Sequence, residues 1–580
     1  MHPGHRSLLT VWGEHLDPEQ PLPEYPRPQL RRDSYLNLNG RWEYAFSISG
    51  VAPRSWAGTI VVPFSPESAL SGVGRQLRPG EYLHYRRTFT LPEGFRRDRV
   101  ILHFGAVDQS CRVMVNDHIV GEHTGGYWPF SIDVTDHLLG GANRVHVVVT
   151  DPSDTAPGAR GKQSLAPRDI WYTAQSGIWQ TVWLESVPQA HITSLQMTPG
   201  LDHVDMIVNT SHPGDSCRIE ISDHGAPVAT ADAAPGQPVR VDIADPRLWS
   251  PEDPHLYDVR VTFGEDVVDS YVGLRTFGTD IDADGLPRLL LNGRPYFHAG
   301  VLDQGYWSDG LYTAPADEAM VHDITTMKDL GFTMLRKHIK IEPLRWYYHC
   351  DRLGMLVWQD MVNGGLPYRR LACDPPRLPW RLRDDHYRLF GRADAPQRRE
   401  WIEQMVQTVG LLGNSTSIAV WVPFNEGWGQ FDAARAAATL RRIDPSREVD
   451  HASGWHDQGA GDVRSLHVYT RGFTVPRRGD DPRVLALTEY GGYSTHVSGH
   501  SAGEQDFGYR HYPTTGALTR AFTQLHEEQI VPAVAHGLGA SVYTQLSDVE
   551  GETNGLLTYD RRVLKIPADH VRSAIAGLRL

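Results

Sequence analysis

From Leu36 to about Glu185 the chain alternates apolar and polar residues in short runs cut by Gly, Pro and Asp. Tyr85-Arg-Arg-Thr-Phe-Thr90, Arg99-Val-Ile-Leu-His-Phe104, Cys111-Arg-Val-Met-Val115 and Arg144-Val-His-Val-Val-Val149 are of this kind. Successive side chains of a strand point to opposite faces, so a period of two marks a strand with one face buried. Regular short strands with turn signals between them predict an all-β sandwich of jelly-roll type. Ahead of it, the Pro-rich stretch 1–33 has no period and reads as an extended arm; arm and sandwich take 1–186. The alternation returns over 187–277, as in Val204-Asp-Met-Ile-Val-Asn209 and His255-Leu-Tyr-Asp-Val-Arg-Val-Thr262. About 90 residues with about seven such runs fit an immunoglobulin-like β-sandwich.

After Phe277 apolar runs alternate with helical stretches, the pattern of β/α units. Eight runs read as strands: Tyr296–Val301, Thr333–His338, Met355–Asp360, Ile418–Phe424, Val449–Ser453, Ser465–Tyr469, Ala486–Glu489 and Ser541–Gln545. Asp317–Leu330 and Glu400–Leu412 are the clearest helices; the first has Met320, Val321, Ile324, Met327 and Leu330 on one stripe. Eight units over 278–580 predict a (β/α)8 TIM barrel. An insertion at 364–398, rich in Pro, Arg and Asp, is expected at the rim near the site.

Composition narrows the partners. A net charge of −14 disfavours nucleic acid and anionic membrane surfaces, which reward basic patches. Met1 to Trp12 has no apolar core of signal-peptide length, and no later run approaches the ~20 apolar residues of a membrane span. The expectation is a soluble cytoplasmic protein. Lys162, Lys328, Lys337, Lys340 and Lys565 are the lysines, arginine carrying the remaining positive charge; a GC-rich genome accounts for that. Cys111, Cys217, Cys350 and Cys373 are far apart and read as free thiols.

Barrel enzymes work at the C-terminal ends of their strands. Polar residues gather there: Asp303, Arg336, His338, Asp360, Asn425, Glu426, His467, Tyr469, Glu489 and Gln545. Two segments stand out, Trp421-Val-Pro-Phe-Asn-Glu-Gly-Trp428 and Leu487-Thr-Glu-Tyr-Gly-Gly492, each putting a carboxylate after an apolar run. Breaking a glycosidic bond with retention needs two carboxyl groups, one as nucleophile and one as acid and then base. Glu426, flanked by Trp421, Phe424 and Trp428, suits the acid, whose pKa must be raised. Arg336 is expected to hold Glu489 ionised, with Tyr469 donating to it. Trp358, Trp428 and Trp455 offer faces for a sugar to stack on. His338, His451 and His467 lack HxH or HExxH spacing, which disfavours a metal centre.

With these segments the chain resembles glycoside hydrolase family 2, which contains β-galactosidases, β-glucuronidases and β-mannosidases. Leu38-Asn-Gly-Arg-Trp-Glu-Tyr44 is similar to the family's opening strand. Val115-Asn-Asp-His-Ile-Val-Gly121 and Gly177-Ile-Trp-Gln-Thr-Val-Trp183 are similar to its sugar-binding domain, and Leu291-Asn-Gly-Arg-Pro-Tyr-Phe297 to the lead-in of its barrel. The resemblance implies Glu426 as acid/base, Glu489 as nucleophile, Asn425 on the sugar's 2-hydroxyl, Arg336 as the strand-two arginine, and Asp169 as an acid lent by the sugar-binding domain. Large β-galactosidases carry Ser-His-Tyr-Pro where this chain has Lys337-His-Ile-Lys340, and here Glu426 is followed by Gly-Trp-Gly; no metal or cofactor is implied. β-Glucuronidases hold the uronate with an Asn-x-Lys pair, where this chain reads Glu552-Thr-Asn-Gly555. The expected substrate is therefore a glycoside or oligosaccharide ending in a neutral β-linked sugar of galactose type, pyranose or furanose. β-Mannosidase, β-glucuronidase and α-L-arabinofuranosidase are the alternatives within the family. A non-catalytic carbohydrate-binding protein and an adhesion scaffold are the alternatives outside it, and a homo-oligomer is a possible assembly.

Overall fold

A computed structural model describes residues 8–214, 216–373, 381–477, 479–503 and 506–580. The alternating runs after Leu36 form two antiparallel sheets. One has six strands, in the order Gly58–Val62, Gly40–Ser47, Tyr82–Thr90, Ala142–Thr150, Ser110–Val115, His118–Thr124. The other has four: Leu36–Asn37, Val182–Val187, Arg99–Phe104 and Phe130–Asp133. Their inner faces share one core around Trp42, Tyr85, Leu102, Phe104, Val113 and Val147. The next seven strands make a three-stranded and a four-stranded antiparallel sheet over Met206, Val208, Ile219, Tyr257, Val259 and Val261. Burial alternates along them as the sequence pattern requires.

The barrel strands are β1 (His298–Asp303), β2 (Met334–Lys337), β3 (Leu356–Asp360), β4 (Ile418–Val422), β5 (Glu448–Val449), β6 (Val463–Val468), β7 (Val484–Gly491) and β8 (Leu538–Thr544). They form one parallel sheet in the order β5-β4-β3-β2-β1-β8-β7-β6, a near-closed barrel. The ladder stops between β5 and β6, where β5 has only two residues; the Asp462 amide still bonds the Val449 carbonyl at 2.8 Å. Leu302, Met334, Leu356, Val420, Val422, Ala486 and Val542 fill the interior. The expected strands are all present, but β1 begins two residues later than Tyr296, which carries Asp303 to its last position. The predicted helices are Asp317–Asp329 and Ala395–Leu412, the second starting before Glu400 with Pro396 in its first turn, where proline's missing N–H costs nothing.

Among the contacts that hold the sandwich on the barrel are three hydrogen bonds. Trp128 Nε1 donates to Thr408 Oγ1 (3.1 Å), Thr313 Oγ1 donates to the Trp179 carbonyl (2.7 Å), and Arg160 donates to the Gly365 carbonyl (2.6 Å). The immunoglobulin-like domain is bonded to Asp351 of the barrel by Tyr271 and Trp249, at 2.8 and 2.7 Å. The arm includes a short helix at Val11–Glu14 and a tight turn at Pro28–Leu30. It also ties the domains together: Thr10 bonds Asp309, while Arg32 bridges Glu185 and Asp266. Residues 1–7, and so most of the leader reading, lie outside the described residues, as do 374–380 of the rim insertion. Cys111, Cys217 and Cys350 are buried free thiols, and no helix of the described residues is long and apolar enough to cross a membrane.

Candidate active site

Glu426 lies just beyond β4 in the left-handed region, at φ +48°, followed by Gly427 at +73°. A non-glycine residue held there stores strain of about 1–3 kcal/mol, a sign that its direction matters. Its amide is fixed on the Ser453 carbonyl (2.9 Å), and the Trp428 amide bonds the Asn425 carbonyl (2.9 Å). Glu489 sits within β7 where the register against both neighbouring strands shifts, between Leu466 and His467 on one side and between Leu487 and Tyr490 on the other. Such irregularities re-aim side chains, here into the mouth.

The two carboxylates meet. Oxygens of Glu426 and Glu489 and a His467 nitrogen all lie within 4.8 Å of one another. His467 Nδ1 is 2.8 Å from Glu426 and 3.4 Å from Glu489, and its Nε2 is 3.0 Å from Ser453 Oγ. Glu489 accepts from Arg336 at 3.1 Å and from the Tyr469 hydroxyl at 2.5 Å. Arg336 is fully buried and uses its whole fork: both oxygens of Asp360 at 3.0 Å, Asn425 Oδ1 at 2.7 Å, and the Thr488 carbonyl at 3.1 Å. Asp360 also takes His338 Nδ1 at 2.8 Å. Asn425 is then oriented by its oxygen, while its buried Nδ2 has no protein acceptor.

The two acids ionise in opposite directions. Burial raises the Glu426 pKa and the Glu489 charge raises it further, with His467 opposing. Burial also pushes Glu489 up, but His467 and Arg336 together outweigh it, and its pKa falls below the ordinary value. His338, dry and beside cations, is held well below the usual histidine range.

Several expected residues are elsewhere or do other work. Asp169 is exposed, in a tight turn where Arg168 and Trp171 exchange backbone bonds at 2.8 and 2.9 Å. That turn leaves the acid facing solvent. Asp303 points away from the pocket to Lys337 (2.6 Å), in a buried ion cluster with Glu342. Trp358 is buried in the barrel interior on His298, and Trp421 and Phe424 pack outward, on Asp444 and Trp401. Gln545 is fully buried, locked between Gln304 and Asn554. Trp428 and Trp455 do flank the site, next to His338 and His467 respectively.

Other pocket residues carry no motif. Tyr509 stacks on Tyr469 with ring centres 3.6 Å apart. Trp171 packs on Trp428, and Tyr172 donates to Glu552, which also accepts from Asn554 at 2.9 Å. Lys162 reaches in from the sandwich domain, its ammonium 5.6 Å from the rings of both Tyr172 and Trp428. It is 5 % exposed, acts electrostatically on Glu426 and Glu489, and has no ion pair among the described residues. Its scarcity was the available signal: Lys162, Lys337, Lys340 and Lys565 are all buried, so lysine persists where a compact cation is needed inside. From the rim insertion Tyr368 packs on Trp171.

Three family models match in order: the sugar binding domain of glycosyl hydrolases family 2 over 78–188, the family's middle domain over 190–275, and its TIM barrel domain over 287–564. Among curated relatives, a beta-galactosidase of Klebsiella pneumoniae (strain 342) is 28% identical over 478 residues, 74% of this chain and 42% of that protein. The chain thus spans less than half the length of the curated relatives it matches. Among solved structures, the β-D-glucuronidase of Dictyoglomus thermophilum aligns with a TM-score of 0.75 at 16% identity, covering 95% of this chain and 98% of that one. A β-galacturonidase from Eisenbergiella tayi aligns with a TM-score of 0.70 at 18% identity, covering 95% and 97%. With its sandwich, immunoglobulin-like and barrel domains matched in sequence order, this chain belongs to glycoside hydrolase family 2.

Proposed function

We propose that the protein is a retaining exo-glycosidase that removes a terminal neutral β-linked sugar of galactose type, with Glu489 as nucleophile and Glu426 as acid/base. The observation that carries this reading is the meeting of Glu426 and Glu489 around His467, with oxygens within 4.8 Å, against the ~5–5.5 Å separation that retention requires.

In the first step Glu489 attacks the anomeric carbon as the bond to the aglycone oxygen breaks, and Glu426 delivers its proton to that oxygen. Arg336 and Tyr469 aim the nucleophile, and Asn425 Nδ2, without a protein partner, donates to a sugar hydroxyl. Esterified Glu489 has lost its charge, which removes one cause of the raised Glu426 pKa. Glu426, left ionised by that delivery, takes a proton from water, whose oxygen attacks the same carbon and frees Glu489. Each step inverts that carbon, so the net result is retention.

The choice of a neutral sugar rests on Glu552, an acid beside the pocket that repels a uronate. The β-galactosidase relatives support the galactose type. A uronide has Lys162 in its favour, since an ammonium with no ion pair among the described residues suits a sugar carboxylate. A panel of nitrophenyl glycosides tests both readings: β-galactopyranoside, β-galactofuranoside, α-L-arabinofuranoside, β-mannoside and β-glucuronide. Turnover confined to the glucuronide overturns the neutral-sugar reading, and a first product of anomeric configuration opposite to its substrate overturns retention.

A further inference from the structure

The immunoglobulin-like domain holds a second cluster of ligating side chains, on elements the proposed glycosidase chemistry does not use. Strand Cys217–Asp223 turns into strand Ala226–Ala233 through His224 and Gly225, both left-handed at φ +47° and +82°. A two-residue hairpin of this kind is served by Asn-Gly or Gly-Gly at lower cost, so a histidine in it is there for its side chain. Across from the turn, on the loop before strand Tyr257–Phe263, His255 is 5 % exposed.

His255 Nε2 and Asp223 Oδ1 are both buried and neither has a hydrogen-bond partner among the described residues. They face each other at 3.6 Å, too long for a proton to bridge. His224 Nε2 is 3.7 Å from the same oxygen, and all three ligand atoms lie within 4.8 Å of one another. Leaving two buried polar atoms unpaired is unfavourable, and an ion between them would satisfy both. Zinc bonded to nitrogen and oxygen at about 2.0–2.2 Å sets tetrahedral ligands roughly 3.4 Å apart, close to these separations. Tyr257 packs edge-on to His255 at 4.6 Å and fixes its ring, and the nearby Asp253 is paired with Arg247 and does not compete.

We propose that Asp223, His224 and His255 bind one divalent first-row transition ion of the zinc type, clamping the hairpin turn to the Tyr257 strand and leaving an outward position for water. Two imidazoles and one carboxylate are the donor set such ions favour over magnesium or calcium. The role is structural, separate from glycoside cleavage.

The test uses the full chain, stripped with chelator and titrated with Zn2+ by calorimetry, with metal content measured after gel filtration. Wild type is expected to keep one zinc per chain and gain melting temperature. His224→Gly, which suits the left-handed turn, is expected to lose the zinc and the gain while keeping turnover. His255→Asn is expected to lose the zinc as well. Retention of zinc by His224→Gly overturns the site, as does wild type that retains none. Zinc that survives His224→Gly and stops turnover would place the ion at Glu426, His467 and Glu489, and overturns it too.

Discussion

Glu426 and Glu489 carry the same functional group and are driven apart by their neighbours. Arg336 and Tyr469 both bond Glu489, whereas Glu426 faces another carboxylate and, among the described residues, receives His467 alone. The predicted pH–activity profile is a bell: its acid limb, protonation of Glu489, lies below the ordinary carboxylate value, and its alkaline limb, ionisation of Glu426, lies above it. Initial rates across pH check both limbs. Glu489→Ala is expected to abolish turnover, with added azide giving at most an inverted glycosyl azide. Glu426→Ala is expected to lose most activity on poor leaving groups and much less on activated aryl glycosides; equal losses would remove the acid role. Arg336→Lys cannot span Asp360, Asn425, Thr488 and Glu489 together and is expected to cost about 10²-fold in kcat, the scale of a misplaced reacting group. A kcat near wild type in this variant, measured on an activated glycoside, would contradict that reading.

The carboxylates converge because elements end irregularly. A left-handed Glu426 after β4 and a shifted register in β7 put both side chains into one mouth, and neither is a property of an ideal strand. The arm works at the same scale. Burial would raise the Glu185 pKa, but Arg27, His103 and Arg32 reverse this and bring it down to about 2. Its ordinary value is 4.5, so this stabilisation is complete above about pH 4.5 and is lost as the pH falls through about 2. It amounts to about 3 kcal/mol. Denaturant midpoints measured between pH 5 and 2.5 are expected to fall, and to fall less in Glu185→Gln. Asp169 shows a related limit: sequence shows an acid ahead of Ser176-Gly-Ile178, but the tight turn between Arg168 and Trp171 decides which way it faces, and it faces solvent.

Across the whole molecule, the sandwich completes the pocket by lending Lys162, Trp171 and Tyr172. Lys162→Met is expected to raise KM more than it lowers kcat if the ammonium holds a substrate hydroxyl; loss confined to uronides would instead favour the uronide reading. Trp128→Ala, at the sandwich–barrel seam, is expected to destabilise by about 3–5 kcal/mol and to weaken substrate binding through the same loop, checked by thermal melting and KM together. The sandwich–sandwich–barrel order, the barrel strands and the strand-end placement of Glu426 and Glu489 could be read from the chain alone, because periodicity and strand-end position are local properties that burial enforces residue by residue. Sequence could not show that Asp303 turns outward to Lys337, that Trp358 packs the barrel, or that Lys162 arrives from another domain. Those outcomes depend on which face a side chain takes at a strand end and on how one domain seats on another, and long-range packing sets both.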